Sequence, residues 1–322
     1  MRVLLVTIAF CIASCLDLTT AGRAQEYPTK FITVVVPFAA GSGSDTAARV
    51  VGQYLGPRLG QSVVVENRVG ATGAIASTYV ARARPDGYTL LLGTNSTHGS
   101  NSALYKSLTY DPAKDFIGIA DTGIFNYFLV VNPALPIGSV AQLLAYAKAN
   151  PGKLSYAGGS STSIVMAETF AKETGIGLVK IPYRSNPPAL TDIIAGRVSL
   201  MFVDVSSAIS FVKADSLRAL AVTTKGRSPL YPDLPTIDET AVKGFDLASW
   251  TGLFAPAGTP QPIVEKLNRE VNAVLALPEV KERLASLGIE PDPMDAAQFD
   301  AYAHGEIAKW SRLVKQAGLE PE

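Results

Sequence analysis

Two hydrophobic rhythms alternate along the chain. Residues 31–36 are apolar and β-branched, a strand pattern; residues 37–44 form a Gly/Ser loop. From Asp45 to Leu59 the apolar positions Ala47, Ala48, Val51, Tyr54 and Leu55 recur at helical spacing. A second strand is predicted over 62–66, a short helix over 72–83, a turn at Arg84-Pro85-Asp86-Gly87 and a third strand over 89–93. This strand–helix order predicts parallel strands joined by helical crossovers. A second unit repeats the scheme, with strands over 127–131, 154–157, 179–182, 198–203 and 218–223. Ser139-Val140-Ala141-Gln142 starts a helix that reaches about Asn150, and residues 164–174 form another. Two further helices start at Ala189 and Ala208. Past Thr259-Pro260 the chain is helical: one helix runs to about Ala276, one from Pro278 to Gly288, and one is capped by Asp295 and runs to about Ala317.

The chain has 322 residues, more than a single hydrophobic core usually serves, so two α/β domains are expected. The only long apolar run is N-terminal. Met1-Arg2 followed by 3–16 and a small-residue stretch ending Gly22-Arg23-Ala24 has the form of a secretory signal peptide, residues 1–24, cleaved after Ala24. Ile12-Ala13-Ser14-Cys15 has lipoprotein-signal spacing, leaving lipid anchoring at Cys15 as the alternative. Both cysteines, Cys11 and Cys15, lie in this leader, so the mature chain has no disulfide. The whole chain balances 28 basic and 28 acidic residues; removing Arg2, Arg23 and Asp17 leaves 26 and 27, a net charge of −1. No basic surface points to nucleic acid or to a membrane. An anionic ligand would have to be held by local dipoles and a few donors.

The candidate chemistry sits in two small-residue loops, each between a strand and a helix. One is Pro37-Phe38-Ala39-Ala40-Gly41-Ser42-Gly43-Ser44-Asp45, with Ser44 or Asp45 expected as the helix N-cap. The other is Tyr156-Ala157-Gly158-Gly159-Ser160-Ser161-Thr162-Ser163. A helix N-terminus carries unpaired N–H groups and about half a positive charge, and glycine lets an anion approach that backbone. The same loops are also what ordinary turn and capping chemistry would produce. His98 and His304 are the only histidines, so a histidine-rich metal site is excluded, and neither GxSxG, GxxxxGK[ST] nor HExxH occurs. A serine hydrolase using Ser160 or Ser161 would need one of those two histidines as its base.

With these residues in place, the sequence resembles the tripartite tricarboxylate transporter receptors, the Bordetella-type extracytoplasmic solute receptors. The resemblance rests on Pro37-Phe38 through Asp45 with Ala48-Arg49, Glu66-Asn67-Arg68 with Gly70 and Gly73, Asp86-Gly87-Tyr88, Tyr110-Asp111-Pro112, Tyr156-Ala157, Pro182-Tyr183, Ala195-Gly196, Pro235-Thr236 with Glu239, and Trp250 through Pro260. It implies a type II periplasmic-binding-protein fold, with lobe 1 from 25–125 and 229–322, an inserted lobe 2 from 126–228, and hinge strands crossing between them. It implies a periplasmic monomer without a cofactor that captures a small carboxylate and is not an enzyme. Its partner would be a two-subunit inner-membrane permease, or a sensor kinase as for some family members. The ligand-binding set expected is Phe38, Ala39, Ala40, Gly41, Ser42 and Asp45 from lobe 1, with Asn95 and Thr97 flanking the cleft. Lobe 2 would add Gly159, Ser160, Ser161 and Thr162, with Arg184 for a second carboxylate and Asp204 for a ligand hydroxyl or amine. Gly41-Ser42, Ile164-Val165 and Arg184 depart from the family pattern, which leaves the ligand open.

Overall fold

The structure is a computed structural model that describes residues 27–321. The leader and both cysteines lie outside the described residues. Among the described residues no helix is long and apolar enough to cross a membrane.

Lobe 1 begins with β1 (Ile32–Val36), α1 (Gly43–Leu59), β2 (Val63–Asn67), α2 (Ala74–Ala81), β3 (Thr89–Thr94) and the one-turn α3 (Asn101–Leu104). β1 lies between β2 and β3 and pairs with both in parallel, as the strand–helix order predicts. Val34, Val35, Val36, Leu90, Leu91 and Leu92 are all buried because helices cover both faces. Two strands without a clear local pattern are β4 (Phe116–Phe125) and β10 (Ser249–Pro256). These pair antiparallel, and with the short β11 (Ile289–Glu290) they complete a six-stranded sheet, order β11-β4-β10-β3-β1-β2.

Lobe 2 contains β5 (Tyr127–Val131), α4 (Val140–Ala149), β6 (Ser155–Gly158), α5 (Ser161–Thr174), β7 (Val179–Pro182) and α6 (Asn186–Ile194). It continues with β8 (Leu200–Asp204), α7 (Val205–Lys213), β9 (Arg218–Val222) and the one-turn α8 (Ile237–Thr240). Its sheet runs β7-β6-β8-β5-β9. Lobe 1 is completed by α9 (Gln261–Leu275), α10 (Pro278–Ala285) and α11 (Ala296–Ala317).

Two extended segments join the lobes. One passes from β4 through Asn126 into β5; the other returns near residue 248. They run side by side: Ser249 pairs with Phe125 in one sheet, Phe128 with Val222 in the other, and Thr223 N donates to Tyr127 O between them at 3.1 Å. The return crossing lies later than the boundary expected at 229. Val222 bridges to Thr236, and Thr223 holds Leu247 through bonds of 3.0 and 2.6 Å, so the intervening segment packs on lobe 2.

Capping sets several helix starts. Ser42, extended at φ −72° and ψ 161°, accepts from Asp45 N at 3.3 Å, so Ser42 and not Ser44 or Asp45 caps α1. Ser160 and Ser163 cap each other at the start of α5, which therefore begins three residues before the expected 164. Ser42→Ala should cost about 1 kcal/mol of stability and Ser44→Ala only a few tenths; urea midpoints of the two variants separate the assignments.

Candidate functional site

Four helices begin at one place between the lobes. Ser42 before α1, Ser160 before α5, Asn186 at the start of α6 and Asp204 before α7 line a single cavity together with Phe38, Asn95, Tyr127 and Ser249. β1, β3, β6 and β8 all aim their C-terminal ends at it, the side on which open α/β sheets hold ligands. No Lys or Arg lines its wall. Positive potential there comes from helix ends and their unpaired amides.

The cavity is small, about 30 Å³, room for about two waters. The reason is that the lobes bond directly to each other. Asn95 Nδ2 donates to Thr162 Oγ1 at 2.8 Å, and Ser96 Oγ lies 3.2 Å from the same oxygen. Ser100 Oγ donates to Ser161 Oγ at 2.8 Å, and Ser161 Oγ donates to Asn101 Oδ1 at 3.0 Å. Ala39 N donates to Ser185 Oγ at 3.1 Å. Ser185 occupies the N-cap position of α6 but makes no cap bond; its hydroxyl serves the opposite lobe instead. With these bonds in place the cavity holds little more than water, so a larger molecule could enter only after they separate.

Tyr127 also lines the cavity, and nothing in the sequence pattern marks it. It lies beside Ser249, Ser160 and Thr162, and burial, with the nearby charge of Asp204, pushes its pKa well above the ordinary phenol value. It therefore stays protonated and can both donate and accept. Ser249 Oγ in turn donates to Asn95 Oδ1. A signal for Ser249 and Thr251 was present: two hydroxyls two residues apart in an apolar run face one side of a strand. No local signal marks Tyr127 or Asn186.

The expected residues separate into groups. Phe38, Ser42, Asn95, Ser160, Thr162 and Asp204 line the cavity. Ala39 gives its amide to Ser185, while Ala40 and Gly41 are exposed and off the wall. Gly159 lies beneath Asn186, close enough that a Cβ would strike that side chain. Thr97 is fully buried behind β3, where it bonds to Thr94 and His98. Asp45 braces the first loop: its carboxylate accepts from Gly41 N, Arg49 and Asn67. Burial pushes the Asp45 carboxyl upward, but those hydrogen bonds outweigh it and hold the group below the ordinary value. Neither Asp45 nor Thr97 lines the cavity. Asp204 is in the cavity wall, yet Ser206 Oγ, Ser207 N, Ser207 Oγ and Asn186 Nδ2 already fill its oxygens at 2.6–2.9 Å. It is a helix cap with little acceptor capacity left. Ser161 and Arg184 face a second cavity.

The serines are not paired with a base. Ser160 Oγ caps α5, Ser161 Oγ is held by Ser100 and Asn101, and no histidine bonds to either among the described residues. His98 stacks on Phe254 at 3.9 Å and places Nδ1 2.9 Å from Thr97 Oγ1. Burial, with a smaller contribution from His304, drives its pKa down to about 3, so it is neutral near pH 7.

Comparison with known proteins agrees with this fold. The profile of the tripartite tricarboxylate transporter family receptor matches residues 47–319. The chain is 33% identical over 300 residues to Protein BugT of Bordetella pertussis, covering 92% of each chain. It superposes on the R. palustris protein Rpa4515 with adipate at a TM-score of 0.90, with 37% identity over 92% of this chain and 100% of that one. Against MatC from Rhodopseudomonas palustris with bound malate the TM-score is 0.85, with 33% identity over 89% and 100%.

Proposed function

Because this chain belongs to the tripartite tricarboxylate transporter receptor family, we propose that it is a periplasmic solute receptor that closes two lobes on a small carboxylate and delivers it to a two-subunit inner-membrane permease. The observation that carries this reading is the convergence of four helix N-termini, one from lobe 1 and three from lobe 2, on one cavity whose wall has no basic side chain. Such a site favours an anion without fixing it by an ion pair. Hydroxyls of Ser160, Thr162, Ser249 and Tyr127 supply further donors once the lobes part. The related proteins solved with adipate and with malate support a carboxylate as ligand.

The cycle follows from the interlobe bonds. Opening breaks Asn95–Thr162, Ser100–Ser161 and Ala39–Ser185. A carboxylate entering the cleft accepts from the released donors, and closure regains contacts from both lobes. Binding therefore shifts the population toward the closed form by the difference in affinity between the two forms. No bond of the ligand need be made or broken.

Titration calorimetry against citrate, malate, adipate, aspartate and nicotinate should find at least one ligand of micromolar affinity or tighter. Folded protein that binds none of them at millimolar concentration would overturn the reading. Tyr127→Phe should weaken the best ligand about two- to tenfold, from the ~0.5–1.5 kcal/mol net worth of a hydrogen bond.

A further inference from the structure

Glu306, on α11, is the one buried glutamate among the described residues, and it lines neither of the two cavities at the lobe boundary. Its Oε2 accepts from the indole N–H of Trp250 at 3.0 Å and from that of Trp310 at 2.9 Å. Its Oε1 accepts from Lys309 Nζ at 2.9 Å. Burying a carboxylate is costly unless its oxygens are filled, and here three donors fill them. Trp250 and Trp310 are the only tryptophans in the chain, so one side chain fixes both.

Each indole backs a different part of the ligand cavity. Trp250 lies on β10 between Ser249 and Thr251, which both line the cavity. The indole points to the other face of that strand, against Phe299 and Tyr302 of α11. Trp310 sits at the seam between the lobes. From lobe 1 the turn at Gly99 rests on it: a Cβ there would stand 3.0 Å from Trp310 Cδ1. The same turn carries Asn95 and Ser96 of the cavity wall. From lobe 2, Val165 of α5 packs with Trp310 and Val314, and all three are at most 1% exposed. α5 also carries Thr162 of the cavity wall. When the lobes part, the face of Trp310 that meets Val165 is returned to water; closure buries it again.

From this we infer that Glu306 is a positioning residue for closure. By holding both indoles it sets the β10 wall of the cavity and keeps Trp310 where Val165 docks as the lobes shut. It touches no ligand itself. The inference rests on the receptor reading above, since it gives Glu306 a share in ligand affinity.

The test is calorimetry on the purified protein freed of bound ligand, using the tightest binder among citrate, malate, adipate, aspartate and nicotinate. Glu306→Leu leaves two buried indole donors unpaired and should weaken that acid about tenfold. Glu306→Gln keeps an oxygen able to accept from both indoles and should stay within about threefold of the unmodified protein. Val165→Ala alone should weaken the acid about threefold, and should add little to Glu306→Leu, because both act through the same contact. Tryptophan emission gives a second readout: the acid should shift it to shorter wavelength in the unmodified protein, and less so in Glu306→Leu. If Glu306→Leu does not fold, Trp310→Phe decides, since it removes one Glu306 bond and keeps a ring against Val165; a threefold loss or more supports the inference and unchanged affinity overturns it. A folded Glu306→Leu with undiminished affinity, or losses that simply add in the double variant, overturns the inference and leaves the receptor reading standing. If none of the five acids binds the folded, unmodified protein at millimolar concentration, the receptor reading itself falls and this inference with it.

Discussion

Gly43→Ala should cost on the order of 100-fold in ligand affinity, about 2.8 kcal/mol, while leaving each lobe folded. Gly43 is the first residue of α1 and faces lobe 2 across the closed cleft. A Cβ there would stand 2.6 Å from Asp204 Oδ1 and 2.7 Å from Ser206 Oγ. The acceptor cannot swing aside, because four donors hold the Asp204 carboxylate. Alanine is itself favourable in a helix, so lobe 1 should lose no stability. The methyl instead acts as a wedge between the lobes. Small-angle scattering should show a larger radius of gyration at saturating ligand than for the unmodified protein. Gly177→Ala, where a Cβ meets nothing within 4 Å, is the control. Affinity within twofold of the unmodified protein would mean that this closed contact is not part of the bound form.

Asp121→Asn should stabilise the protein at pH 8 and change little at pH 4. Asp121 lies on β4, is 1% exposed, and accepts from Asp292 N at 3.2 Å. Burial first, then the Asp292 charge, push its carboxyl from 3.8 up to about 7, against the lowering effect of backbone N–H groups. Between those two values the unfolded chain has released a proton that the folded protein keeps. Stability must therefore fall as pH rises through this window and level off above about 7. The full loss is on the order of 4 kcal/mol at 1.36 kcal/mol per pH unit. Asparagine carries no charge to bury, and its Oδ1 can keep the bond from Asp292 N. His98 has the opposite sign: its lowered pKa makes stability rise with pH from about 3 toward 6.5. The measurement that isolates Asp121 is therefore the difference between variant and unmodified protein in urea midpoints at pH 4, 5.5, 7 and 8. A difference that does not grow with pH would refute the assignment.

Local pattern carried a large part of the architecture. The apolar runs at 31–36 and 89–93, the helical spacing of Ala47 through Leu55, and the Asp295 cap each appear in the fold nearly where expected. β4 and β10 are not legible locally because each is fixed by antiparallel pairing that brings residues 116–125 and 249–256 together. The helices start at Gly43 and Ser161, earlier than the pattern predicts. Glycine and serine read as loop residues until the reciprocal cap bonds are visible.

What the sequence alone determined was the alternation of strands and helices and the two small-residue loops at helix starts, because these depend on spacing within a few residues. The tertiary structure decided which of those residues meet. Ser160 and Ser161 are neighbours in the chain yet face different cavities, since each helical residue turns about 100° from the last. Ser185 left its own helix to bond across the cleft, and Tyr127 reached the cavity wall only because two distant segments cross beside it. Such meetings depend on the relative placement of two sheets, which no local spacing encodes.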